Sequence, residues 1–188
     1  MRPQRGKRAV GVSVLSVADA LRSWHEFYAL LGTASATMVG LLFVAASVGS
    51  GVFTPGRRAA LRVFLSASVV NFSLVLAASL IVLAPITSWP WLGAPILVCG
   101  LFGLTHSCLA WRDSLREGLI HSIDLEDRIW YLALPIVGYV CMATSGVLLI
   151  DALELGCAVL AVSIGLLLGI GIHNAWDITI WIITRRQE

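Results

Sequence analysis

The stretch GCAVLAVSIGLLLGIGIHNAWDITIWIIT, residues 156–184, decides the fold class. As a helix rising 1.5 Å per residue it is about 44 Å long, more than the roughly 30 Å hydrocarbon core of a bilayer requires. Inside it stand His173, Asn174 and Asp177, three groups that hydrocarbon does not readily solvate. An ionisable side chain at mid-membrane costs about 2.5–3.5 kcal/mol by insertion scales, so an embedded cluster of this kind marks a functional site by default.

Working outward, four more apolar runs reach the roughly 20 residues that a membrane-crossing helix needs: Phe27–Val48, Val63–Thr87, Trp91–Trp111 and Ile129–Ile150. The 188 residues are 58% hydrophobic and only 13% charged, against roughly 45–50% and 25% in soluble domains. That composition excludes an ordinary soluble protein. The net charge of +2, with basic residues at the span ends, gives nucleic-acid binding no support. Trp24, Trp89, Trp91, Trp111, Trp130 and Trp181 fall at or near the proposed span ends, where amphipathic indoles favour the membrane interface. Only Trp176 departs from this pattern. The expected architecture is all-α: a polytopic transmembrane helical bundle of about five spans, with residues 27–188 forming one domain.

Residues 1–26 read as a basic tail and an interfacial helix. The tip Met-Arg-Pro-Gln-Arg-Gly-Lys-Arg is followed by Val14, Val17, Ala18, Leu21 and Trp24, apolar positions mostly three or four apart. A basic start, a short apolar stretch and Ala18-Asp19-Ala20 also imitate a signal peptide, although Gly11, Ser13 and Ser16 weaken the apolar part.

Basic residues alternate along the chain: five in the tail, three in the first connection (Arg57, Arg58, Arg62), three in the third (Arg112, Arg116, Arg128) and two at the C-terminus. With five spans, the first and third connections and the C-terminus share a face. The positive-inside rule then places the C-terminus in the cytoplasm and the N-terminus outside. The connection Trp111–Arg128 is the only sizeable one; Leu115, Leu119, Ile120 and Ile123 are spaced for one face of a surface helix, and Asp124 suits an N-cap for the fourth span. No connection is long enough for a soluble catalytic domain.

In the last span Gly165, Gly169, His173, Asp177 and Trp181 recur every four residues, which puts them on one slowly drifting stripe. Glycines admit a neighbouring backbone, and His173 and Asp177 are spaced to hydrogen-bond to each other. The functional reading is a proton relay or ion-coordinating face; the structural one is helix–helix hydrogen bonding, or a helix end that projects into the headgroups. The first span repeats Gly32, Ala36 and Gly40 with Thr33, Ser35 and Thr37 alongside, a small-xxx-small pattern for close packing within or between subunits. Asn71 lies nine residues from Arg62, and His106 lies six from Arg112. At about 1.5 Å per residue these depths fall in the half of the membrane that also holds His173 and Asp177, so the polar residues have the depth to share a cavity. Pro135 lies near enough to the start of its span to bend the helix without breaking it.

Cys99, Cys108, Cys141 and Cys157 have no C-x-x-C spacing and read as buried thiols, not a zinc site or disulfide framework. The depth mismatch between His106 and His173, about 9 Å, argues against a bis-histidine haem. No Ser/His/Asp set, H-E-x-x-H or phosphate loop supports an enzyme, and no cofactor is expected.

The runs Gly32-Thr33-Ala34-Ser35-Ala36-Thr37, Gly40-Leu41-Leu42-Phe43-Val44-Ala45 and Asn174-Ala175-Trp176-Asp177 resemble a pattern in small uncharacterised bacterial multi-pass inner-membrane proteins. The resemblance covers parts of the first and last spans. It implies a bacterial inner-membrane location and no particular activity. The expectation is an oligomeric membrane protein with an ion or proton pathway through His173, Asn174, Asp177, Asn71 and His106. Gly32, Ala36, Gly40, Gly165 and Gly169 would pack its helices. The alternatives are a non-enzymatic accessory or scaffold subunit of a larger membrane complex, and an intramembrane enzyme or cofactor carrier.

Overall fold

A computed structural model of the chain describes residues 16–49, 55–116 and 129–184. It is all-helical among those residues: α1 Val17–Arg22, α2 His25–Gly49, α3 Pro55–Leu83, α4 Trp89–Arg116, a π-helical turn Ile129–Ala133 continuing into α5 Leu134–Ile150, and α6 Leu155–Thr184. Among the described residues four helices are long and apolar enough to cross a membrane. The apolar segment Ala67–Leu83 of α3 has 17 residues, inside a helix of 29. The basic tip lies outside the described residues, as do Leu119, Ile120, Ile123 and Asp124 of the proposed surface helix of the third connection, whereas Leu115 is exposed in the last turn of α4.

α1 is short and begins at a recognisable stop. Ser16 caps it by accepting from the Asp19 backbone N–H at 3.2 Å while donating to the Asp19 carboxylate at 2.6 Å. Val17 is buried, and Leu21 and Trp24 pack partly against the core.

The long helices run alternately up and down. Gly32 on α2 faces Ser79 on α3, and the Ser35 hydroxyl donates to the Phe72 carbonyl at 2.5 Å. On α4 and α5, Gly93 faces Gly146 and Ile150 while Gly100 faces Ala143. α5 and α6 are joined by Ser145 donating to the Gly156 carbonyl and Ser163 donating to the Gly138 carbonyl, at 3.0 and 2.8 Å. The C-terminal ends of α2, α4 and α6 therefore share one end of the bundle with the start of α3 and the π-turn. α4 packs chiefly on α5, α5 on α6, and α6 on α3, with α2 outside on α3 and α6. Accordingly α6 is the most enclosed span and α2 the least.

Lipid tails are as apolar as the side chains, so burial alone gives little drive for helix association. Close packing and interhelical hydrogen bonds must supply it. Small residues supply the first: a Cβ on Gly93, Gly100 or Gly146 would lie 2.5 Å from backbone atoms of the facing helix. Hydroxyls supply the second, since the serines above and Tyr28, which donates to the Cys157 carbonyl at 2.7 Å, reach main-chain oxygens across interfaces. Such bonds contribute roughly 0.6–2 kcal/mol each inside a membrane.

The expected glycine stripes divide. Gly32 is buried against Ser79, whereas a Cβ on Gly40, Gly165 or Gly169 would meet nothing within 4 Å, and Ala36 is exposed. Among the described residues close approaches are also made by Gly93, Gly100, Gly103, Gly138, Gly146, Gly156 and Gly171. Among the described residues no neighbour reaches the Gly40, Gly165 or Gly169 positions. Thr33 and Thr37 bond back to carbonyls of their own helix, at 2.8 and 2.9 Å, and need no partner across it.

Candidate functional site: a polar cluster at one end of the bundle

The site is built where α3, the π-turn with α5, and α6 meet. Pro135 starts its construction. A proline ring in a helix displaces the carbonyl four residues earlier, here that of Tyr131, and removes one backbone donor. The chain accommodates this as a widened π-helical turn over Ile129–Ala133, the local form that a backbone takes when one residue must be absorbed. That turn sets Trp130 and Tyr131 against α6. The Trp130 ring stacks on the His173 imidazole, with centroids 3.9 Å apart and planes tilted by 39°, and Tyr131 lies 3.5 Å from the Asn174 carbonyl oxygen.

On α6 itself, His173 Nε2 and Asp177 Oδ2 are 3.3 Å apart, with side chains 29% and 35% exposed. Their four-residue spacing brings them together, as expected for one helical stripe. Asn174, one residue further round, points inward and is 1% exposed. α6 thus carries a half-open ionisable pair on one side and a fully enclosed carboxamide on the next. Trp176 is exposed on a different face.

α3 contributes from within. Asn71 is buried, and its Oδ1 accepts from the Tyr139 hydroxyl at 2.5 Å. Tyr139 is wholly buried in α5, and Gly103 of α4 makes room for its ring. Ser68, one turn before Asn71, is also wholly buried. Two polar atoms of this region have no hydrogen-bond partner: Ser68 Oγ and Asn174 Oδ1. A third, Ser79 Oγ, lies at the opposite end beside Gly32.

Of the residues selected from sequence, Asn71, His173, Asn174 and Asp177 stand at this end of the bundle, on two packed helices. His106 is half-buried in the C-terminal half of α4, whose main neighbours are α5 and α3. The sequence reading passed over Ser68, Tyr131 and Tyr139, and took Trp130 only as a marker of a span end. Tyr139 had a usable signal: a phenol in the middle of an apolar span must find a hydrogen-bond partner. Ser68 and Tyr131 had none, because a serine or tyrosine near a span end has many solvated alternatives. Among the described residues no three His, Cys, Asp or Glu side chains converge as a metal centre requires, and all four cysteines are free.

What this arrangement offers chemically is an imidazole and a carboxyl group side by side and half-open. Asn174, Ser68, Asn71 and Tyr139 add buried neutral polar groups on α6, α3 and α5. No protein-family model, no curated protein and no solved structure matches the chain.

Proposed function

We propose that this protein is an oligomeric inner-membrane protein of a bacterium that provides a pathway for protons or a small cation through the polar cluster at the basic end of its bundle. The observation that carries the reading is the His173–Asp177 pair, 3.3 Å apart and half-open, on the helix that also carries the enclosed Asn174 and packs on the α3 of the enclosed Asn71. A half-open ionisable pair lets a charged species in from one side, and buried neutral dipoles lower the cost of drawing it inward. A purely structural bond would be cheaper between neutral groups.

The topology that goes with this reading has five spans, the basic connections and C-terminus in the cytoplasm, and α1 at the external interface. It rests on the alternation of Arg between connections. The cluster then opens toward the cytoplasm. The bacterial setting rests on the resemblance carried by the first and last spans.

One observation favours a second reading, a non-enzymatic subunit of a larger membrane complex. Among the described residues nothing lies within 4 Å of a Cβ at Gly40, Gly165 or Gly169, a small-residue surface of the kind another transmembrane helix packs on. Purified protein in liposomes under an imposed proton or cation gradient separates the two. Flux above that of protein-free vesicles supports the pathway; sealed vesicles with well-folded protein favour the subunit reading.

A further inference from the structure

Two wholly enclosed polar atoms without partners, Ser68 Oγ on α3 and Asn174 Oδ1 on α6, come from helices that run antiparallel and touch. Gly171 packs against the Phe72 ring, so moving one turn toward the start of α3 and one turn toward the end of α6 leads to Ser68 and Asn174 at about the same level, roughly one 5.4 Å turn from that contact. Both side chains tilt toward the start of their own helix. Asn71 sits three residues from Ser68 on the same face, and its Oδ1 spends one of two lone pairs on the Tyr139 hydroxyl.

We propose that these groups form an internal hydration site, in which one water donates to Asn174 Oδ1, accepts from the Ser68 hydroxyl and has the free lone pair of Asn71 Oδ1 as its third partner. Leaving a carboxamide oxygen and a hydroxyl both unpaired in a membrane interior is costly, and buried water characteristically makes about three hydrogen bonds to groups otherwise unsatisfied. Neutral oxygens in this number suit a water better than a cation, which needs about six oxygen ligands or a compensating charge at the site. The water links Asn71, which accepts from Tyr139 deep in the bundle, to Asn174, the residue after His173 on α6. The site stands whether or not the protein conducts.

The test combines a map of the whole protein that resolves buried waters with a double-mutant cycle of Ser68→Ala and Asn174→Ala, read as the unfolding equilibrium in bicelles. A shared water predicts density between the two side chains. It also predicts that each single substitution lowers the folding constant by about 5–30-fold while the double falls well short of the product. If Asn174→Ala does not fold, Asn174→Ser takes its place in the cycle. Strictly multiplicative effects, or an empty gap in a map that shows other buried waters, overturn the proposal. So does a midpoint that depends on sodium at fixed ionic strength, which would put a cation there instead.

Discussion

Gly100→Ala tests how the bundle is held together. The added methyl would lie 2.5 Å from the backbone nitrogen of Ala143 and 2.7 Å from its Cα, where ordinary contact begins near about 3.5 Å. Neither atom belongs to a side chain that can rotate away, so α4 and α5 must part by about 1 Å. A gap of that size forfeits roughly a quarter to a half of the dispersion energy of the atoms lining it. Because dispersion is the main cohesive force between membrane helices, the loss cannot be recovered by burial elsewhere. Overpacking of this kind costs about 1–3 kcal/mol, or roughly 5–150-fold in the folding constant. Gly40→Ala is the matched control, since a methyl there meets nothing within 4 Å and alanine gains up to about 1 kcal/mol of helix propensity. Unfolding equilibria of the two variants and the wild type in mixed micelles, followed by circular dichroism, give the comparison. A Gly100→Ala protein as stable as wild type refutes the packing argument. A Gly40→Ala protein as damaged as Gly100→Ala shows that a second chain covers the Gly40 face.

Tyr139→Phe should cost about 1–3 kcal/mol, because it removes the phenol that donates to the buried Asn71 Oδ1. Tyr28→Phe should cost less, about 0.5–1.5 kcal/mol, since the Cys157 carbonyl keeps its place in the helix ladder; chemical unfolding of both variants checks the order. Ala152 holds a φ of 57° where Leu153 N–H reaches the Leu148 carbonyl at 2.9 Å, a helix ending that favours glycine. Ala152→Gly should therefore raise stability by about 1 kcal/mol, and a lower melting temperature would contradict that. Reporter fusions at Arg116 and Glu188 should both report the cytoplasm; two external signals reverse the orientation, and opposite signals change the span count.

Much of the fold was legible because its signals are local. Length and hydropathy of the runs beginning at Phe27, Trp91, Ile129 and Gly156 mark helices of membrane-crossing size, and the structure shows a long helix at each. The pairing of His173 with Asp177 was legible for the same reason, since a four-residue spacing on a helix is itself a contact. What was not legible depends on which helix faces which. Gly165 and Gly169 have the same spacing as many packed glycines, yet the faces that close are those of Gly93, Gly100 and Gly146. Glycine spacing identifies a surface able to pack and says nothing about whether a neighbour arrives. Likewise, Pro135 was readable as a bend, but the π-turn that delivers Trp130 to His173 depends on how the strain spreads along the backbone. The Tyr139–Asn71 bond joins residues 68 positions apart, and no periodicity within one helix records such a meeting.

The central claim, that the polar cluster carries protons or a cation, meets its most direct test in Asp177→Asn. The substitution keeps the size of the side chain and much of its hydrogen bonding to His173 while deleting the charge. Proton and monovalent-cation flux is measured in liposomes holding equal amounts of wild-type and variant protein, with matched circular dichroism and elution volume. The account predicts flux in the wild type and at least a tenfold loss in Asp177→Asn, equivalent to about 1.4 kcal/mol or more in the barrier. Undiminished flux through a well-folded Asp177→Asn protein would remove Asp177 from the pathway, and wild-type vesicles that stay sealed to both ions would contradict the claim itself.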